Sequence, residues 1–404
     1  MAQWAFGMDF VLLSTAEWDN PFWTNKQHVA CELAARGHRV LYLDTVGLRR
    51  PSATGQDLKR IMRRLSRFAR GPRQVRENLW VWSPVAVPFQ GVKAARAINR
   101  RILSVSVGLL VRVLGFEEPI LWTYNPLTTQ LLRTKSFRRV VYHCVDNIAA
   151  QPGMPSEVLN ACEEELFRRS DVVFVTSRVL ADKALQWNSR TYYLPNVADY
   201  QHFSAALDIE TRVPPDLDRI PRPRIGYIGA LSGYKVDFRL LREIAERRKD
   251  WSIVLIGKVG EGDPWTDDSL LSGVDNLHVM GPRPYRELPA YLKGIDVALL
   301  PNMQNAYTAA MFPMKFFEYL AAGRPVVGVE LPSLKEYADA VLVARNADEF
   351  VQQIAKALAG EVPPLEYRLE IARRHTYSAR TDEMLRILRD IGVSALERCS
   401  SGAT

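Results

Sequence analysis

Two residues set three apart, Lys315 and Glu318, stand in the stretch FPMKFFEYLAAGRPVV from Phe312 to Val327. On a helix that spacing puts both side chains on one face. There the carboxylate can accept hydrogen bonds from both hydroxyls of a ribose while the ammonium neutralises a phosphate; the alternative is a plain salt bridge. Ala321, Ala322 and Gly323 then permit a sharp return into PVVGV. Upstream, Gly226 stands within RIGYI while Gly229, Ser232 and Gly233 follow it, and small residues after a strand let backbone amides approach a phosphate. A simple strand-end turn is the competing reading. Lys258, after Ile256 and Gly257, faces ligand or water, and Arg283 in GPRP sits in a loop that can border a nucleobase. Neither GxGxxG nor GxxxxGK followed by Ser or Thr occurs, which argues against a P-loop ATPase. No DxD dyad follows a strand. Asp267 and Asp268, in VGEGDPWTDDS, read as a solvent-exposed excursion. Basic residues and helix termini can replace a metal against a diphosphate, so no metal and no cofactor is expected.

The elements that must position these groups alternate between strand and helix. With 404 residues, two domains of about 150 to 200 residues are the default. In the first half, Asp9–Ser14 reads as a strand, Gln27–Arg36 as a helix stopped by Gly37, and Arg39–Leu43 as a second strand. Further strands are expected at Leu79–Ser83, Pro119–Trp122, Arg139–Cys144, Asp171–Thr176 and Thr191–Leu194. Asp208–Pro223 carries four prolines and no apolar periodicity, the signature of a connection between domains. A second series begins at Arg224–Ile228 and continues with a helix near Phe238–Arg248, strands at Ser252–Ile256, Leu277–Met280 and Val297–Leu300, a helix over Lys315–Ala322, and strands at Pro325–Val329 and Ala340–Val343. The expected fold is therefore α/β, with two Rossmann-like domains and a central cleft. Its division is 1–207, a linker at 208–223, a nucleotide-binding domain at 224–385, and a C-terminal helix and tail at 386–404 able to pack back on the first domain.

Hydrophobic residues at 47% and charged residues at 24% describe a globular chain. Cys31, Cys144, Cys162 and Cys399 form no CxxC and read as unpaired thiols of a reducing compartment. The N-terminus lacks the basic leader of a signal peptide. Net charge is +8, with basic residues crowded between Arg49 and Arg76. A helix through LKRIMRRLSRFAR would set Leu58, Ile61, Met62, Leu65 and Phe68 against a basic side that includes Arg60, Arg63, Arg64 and Arg67, as in an interfacial helix. Anionic headgroups would attract it at about 1 kcal/mol per basic residue. A polyanionic acceptor would be attracted by the same charge, and a solvated helix face is the alternative; nucleic acid is disfavoured because Trp80 and Trp82 lie in an apparent strand and do not interleave with the basic run. Ile102–Leu114, ILSVSVGLLVRVL, is too short to span a bilayer. It is either a buried structural helix or a surface that dips into lipid.

Several stretches together carry a family likeness: WDNPFWTNKQHVACELAARGHRVLYLD, TSRVLADKA from Thr176, LPNVADYQHF from Leu194, RIGYIGAL from Arg224 and KFFEYLAAGRPVV from Lys315. Across most of both halves the chain resembles bacterial glycosyltransferases of the GT-B architecture, nearest to family 4 and its cell-envelope polysaccharide members. The resemblance implies transfer of a sugar from a nucleotide diphosphate sugar to a saccharide or polyprenyl-linked acceptor, with retention; with the basic run read as facing an anionic membrane surface, the expected place is peripheral, at the cytoplasmic face of the membrane.

In that family two glutamates are separated by seven residues. Glu318 matches the second, whose implied role is ribose binding, while Ala310 stands where the first belongs. The sugar would then be met by backbone amides and aromatic surface around Thr308, Phe312 and Pro313. The likeness also implies a phosphate-binding basic residue after RIGYIGAL, for which Lys235 is the nearest match. On the acceptor side, Trp18 and Asn20 suit recognition of sugar hydroxyls, although WDNPFW can equally be a rigid turn with buried aromatics. His143, Asp146 and Asp19 are the catalytic candidates. An inverting reaction would use Asp146 or Asp19 as base; a retaining one would mainly stabilise the departing diphosphate, with His143 orienting the donor or serving as a core residue. Competing readings are an inverting GT-B enzyme, a sugar-nucleotide epimerase and a catalytically inactive membrane-associated scaffold.

Overall fold

The computed structural model describes residues 7–20, 23–46, 67–68, 70–87, 92–261, 263 and 265–392, with backbone alone to 400. It divides into two compact units, one of 1–176, 180–194 and 380–404, the other of 177–179 and 195–379.

In the first unit, β1 (Asp9–Leu13) and β2 (Arg39–Leu43) flank helix α1 (Asn25–Ala35). β1 is buried along its whole length, as expected of a central parallel strand covered on both faces. At the start of α1 the Gln27 side chain accepts from the Thr24 N–H at 3.1 Å. Gly37 ends it in a left-handed conformation, φ +81°, as the sequence predicts. The described strands of this sheet run in the order β3-β4-β2-β1-β5-β6-β7-β8. They are β3 (Arg73–Arg76), β4 (Leu79–Trp82), β5 (Ile120–Thr123), β6 (Val140–Cys144), β7 (Val172–Val175) and β8 (Thr191–Tyr193). All pair in parallel except β3, an antiparallel edge strand on β4. RQVR has no apolar alternation, so only the hairpin with β4 makes it a strand. Helices α2 (Lys93–Val113) and α3 (Ser156–Arg169) belong to this unit.

The second sheet is wholly parallel, in the order β11-β10-β9-β12-β13-β14. Its strands are β9 (Arg224–Ile228), β10 (Ser252–Ile256), β11 (Leu277–Gly281), β12 (Val297–Leu300), β13 (Val326–Gly328) and β14 (Leu342–Val343). Helix α4 (Phe238–Arg247) starts at Asp237, whose side chain accepts from the Leu240 N–H at 2.9 Å. α5 (Met314–Ala321) and α6 (Ala347–Leu358) follow. The proline-rich segment packs within this unit: Leu217 is fully buried in its core. Helix α7 (Tyr377–Ser400) contributes Met384, Leu385, Ile387 and Ile391 to the core of the first unit.

Candidate functional site

Parallel pairing puts the C-terminal ends of β9, β10 and β11 on one edge of the second sheet, and each ends at a glycine. The Gly229 N–H donates to Ile256 O at 2.9 Å and the Gly257 N–H to Gly281 O at 3.0 Å. A Cβ on Gly257 would lie 1.8 Å from Gly229 O, so only glycine permits this approach of two strand ends.

Helix α5 is pinned to the same edge. The Ile228 N–H donates to the Tyr319 hydroxyl at 2.9 Å. Lys315, one turn earlier on the helical face of Tyr319, thereby lies next to Gly229: a Cβ built there would come within 3.3 Å of Lys315 Cε and 2.8 Å of the Tyr227 hydroxyl. Lys315 Nζ donates to Glu318 Oε2 at 2.8 Å. The carboxylate side chain is only 7% exposed and the lysine 28%, so the pair presents its cationic member outward. Burial, with Glu318's negative charge second, holds the Tyr227 and Tyr285 hydroxyls well above the usual phenol range. Both tyrosines therefore remain neutral within reach of the carboxylate's charge. Gly323, at φ +71°, ends the helix and turns the chain into β13.

Of the amides after β9 expected to cradle a phosphate, three are engaged within the fold. Gly229, Leu231 and Gly233 donate their N–H groups to Ile256 O, Lys258 O and Thr266 Oγ1. What Gly229 supplies is room for Lys315. Lys235 sits over the Tyr234 and Tyr307 rings at 5.2 and 5.3 Å, and Asn305 Nδ2 donates to Tyr234 O at 2.7 Å, which ties the two loops together. Lys258 is exposed. Arg283 is engaged elsewhere: its guanidinium donates to the Tyr291 hydroxyl at 2.6 Å, to Met280 O at 2.6 Å and to Asp216 at 2.7 Å. It braces the segment before β9, a partner 67 residues away that no local pattern reveals.

Ala310 is buried. The Ala310 and Met311 amides donate to Tyr307 O and Thr308 O, both at 3.2 Å. These two are therefore not free for a sugar. Ser177 Oγ and Asn196 Nδ2 donate to the carbonyls of Ala310 and Phe312 at 2.7 and 2.6 Å, fixing the loop.

In the first unit the acceptor and catalytic candidates are spread over different surroundings. Trp18 packs in the core against Trp23 and Tyr42, each at 5.2 Å between ring centroids, so it is a buried aromatic beside the turn at 17–20. The Asn20 N–H donates to Glu17 O at 3.2 Å within that turn. Asp19 forms ion pairs with Arg73 and, at 3.4 Å, with Arg67. Arg67 also pairs with Glu17 at 3.1 Å, while Arg60, Arg63 and Arg64 lie outside the described residues. His143 is fully buried, its ring 4.9 Å from that of Tyr124 and 5.9 Å from that of Trp122. Neither ring nitrogen has a hydrogen-bond partner. Burial, then the positive charges of Arg380 and Lys26, holds its pKa well below the usual imidazole value. It is a neutral core residue. Asp146 is half-buried just beyond β6.

The sequence reading passes over Asp44, which follows β2. Its carboxylate accepts from the Trp18 N–H at 2.7 Å and from the Ser83 hydroxyl, and burial raises its pKa. The aspartate closing LYLD was the available signal. Among the described residues no group of three or more His, Cys, Asp or Glu could hold a metal ion. Asp267 and Asp268 are exposed.

The profile of the family described as "Glycosyl transferases group 1" matches residues 222–360. Over 283 residues, 65% of this chain and 70% of the relative, the sequence is 29% identical to the Bacillus subtilis (strain 168) protein named "Putative teichuronic acid biosynthesis glycosyltransferase TuaH". Sucrose-phosphate synthase from Thermosynechococcus elongatus superposes with a TM-score of 0.68 at 14% identity, covering 96% of this chain and 100% of that one. HepE from Anabaena, in complex with UDP, gives 0.63 at 14%, covering 95% and 100%. At such identity these structures speak for the fold alone. The chain has two parallel-type sheets, each flanked by helices, in the two-Rossmann-domain GT-B architecture.

Proposed function

We infer that the protein transfers a sugar from a nucleotide diphosphate sugar to a hydroxyl of an envelope glycan or lipid-linked acceptor. The observation that carries this reading is the buried Glu318 carboxylate, paired with Lys315 beside Gly229 at the glycine-lined strand edge. Glu318 binds the ribose hydroxyls, and Lys315, with the exposed Lys258 and with Lys235, neutralises the diphosphate. As the leaving group departs, these cations stabilise its growing charge. The family profile spans this same half; TuaH is named for teichuronic acid biosynthesis and HepE holds UDP, which supports both the donor class and a polysaccharide product.

Retention is the proposed outcome, with the first unit supplying the acceptor groups. If the reaction inverts, Asp146 or Asp19 is the candidate base, and two arginines engage Asp19. The proposed location is the cytoplasmic face of the membrane, as a peripheral protein. A non-catalytic reading draws on one observation: Ala310 stands in the first-glutamate position and its amide is used within its own turn. Incubation with UDP-, GDP- and dTDP-sugars plus a lipid extract, followed by mass analysis, tests these alternatives. A new glycoside with release of nucleoside diphosphate is expected. An epimerised donor with its nucleotide attached identifies an epimerase, and nucleotide binding without turnover a scaffold.

A further inference from the structure

Helix α2 has apolar residues on two opposite sides. Leu103, Val107 and Leu110 are buried in the unit, while Ile98, Ile102, Val105, Leu109 and Val113 form a second stripe at helical spacing. Val105, Leu109 and Val113 are 67, 61 and 70% exposed. A helix apolar on both sides belongs between two apolar media, and here the protein supplies one. The helix is half of each expected alternative: a structural helix inward, an uncovered apolar surface outward.

Beside the stripe lies a groove of about 450 Å³, walled by Val105, Leu109 and Phe137, with Arg112 and Arg133 among its lining residues. At 100° per residue, Arg101 and Arg112 fall along one margin of the stripe. The chain carries no Asp or Glu from Asn78 to Gly115, or from Pro119 to Val145, yet these stretches hold Arg100, Arg101, Arg112, Arg133, Lys135 and Arg138. Charge therefore selects the covering partner: an apolar layer bordered by anions. No described helix is long and apolar enough to cross a membrane, which leaves a helix lying along the surface.

We propose that the outer face of α2 docks on the headgroup and acyl boundary of an anionic bilayer, with the apolar stripe inserted and the flanking arginines on lipid phosphates. This contact uses other residues than the donor site and the basic run between Arg49 and Arg76.

Sedimentation of the full chain with phosphatidylglycerol–phosphatidylcholine vesicles tests it, with pure phosphatidylcholine as the neutral control. The protein is expected to sediment with the anionic vesicles and to be released by salt. The double variant Val105→Glu, Leu109→Glu, altered only at exposed positions, should lose about tenfold or more in vesicle affinity, a factor set by adding two charges to the inserted face. Arg101→Glu with Arg112→Glu should lose binding to anionic vesicles specifically. Unchanged circular dichroism and melting temperature certify that the variants are folded. Wild-type protein that stays in the supernatant overturns the proposal. So does a Val105→Glu, Leu109→Glu variant that binds like wild type, which would assign docking to the basic run. A dimer in sedimentation equilibrium that this variant dissociates, without any vesicle binding, would show a second copy covering the face and would equally refute it.

Discussion

The same edge of the two sheets is built in opposite ways. Where β9, β10 and β11 end, Gly229, Gly257 and Gly281 remove side chains: the space at Gly257 goes to the Gly229 carbonyl, and that at Gly229 borders the lysine that pairs with a buried carboxylate. Near the C-terminal ends of β5 and β6, Trp122, Tyr124 and His143 fill the corresponding layer, and His143 leaves two ring nitrogens without partners. Parallel topology brings strand ends together in both units, and at the glycine-terminated edge the room left at Gly229 is taken by a charged side chain. A binding edge is made here by what is missing from the strand ends as much as by what is present.

Gly257→Ala should break this contrast most severely. Its methyl group would overlap Gly229 O, forcing the strand ends apart at a cost of about 3 kcal/mol; denaturant unfolding would measure the loss, and nucleotide binding should vanish with it. Glu318→Ala is expected to weaken nucleotide diphosphate affinity about tenfold, near 1.4 kcal/mol. Lys315 is partly exposed and can be resolvated, so the fold should survive; calorimetric titration showing wild-type affinity in the folded variant would refute the ribose assignment. Tyr319→Phe removes the acceptor for the Ile228 N–H and should cost about 1 kcal/mol in stability. It should also weaken nucleotide binding less than Glu318→Ala does, since it displaces Lys315 without deleting it.

The first sheet yields the smallest effect. The folded-state pKa of His143 lies below its unfolded value, so the unfolded chain takes up a proton that the native state excludes. Its contribution is fully present above about pH 6.5 and is lost as pH falls from there toward the folded value, at up to about 1.4 kcal/mol per pH unit. His38, His278 and His375 are shifted the same way by burial. His143→Phe should therefore reduce, without abolishing, the fall in melting temperature between neutral and mildly acidic pH, and leave nucleotide affinity intact. A large loss of transferase activity with native stability would instead give His143 a role in the reaction.

Much of this architecture was legible because its signals are local. Alternating apolar runs mark the strands, and Lys315–Ala322 differs from the observed α5, Met314–Ala321, by one residue at each end. Lys315 and Glu318 pair as three-residue helical spacing requires. The misreadings involve partners distant in sequence. Arg283, read as bordering a nucleobase, meets Asp216, and the Gly229, Leu231 and Gly233 amides after β9 meet acceptors at Ile256, Lys258 and Thr266. The charged strand β3 exists only through β4.

Periodicity, caps and spacing are properties of neighbouring residues, so the chain by itself determined the α/β repetition and the helix that carries the lysine and glutamate. Which hydrogen-bond donors remain unused, which histidine is sealed and which apolar stripe stays bare are settled by contacts between residues far apart along the chain. Those contacts exist only after the sheets assemble, and there the tertiary structure decided.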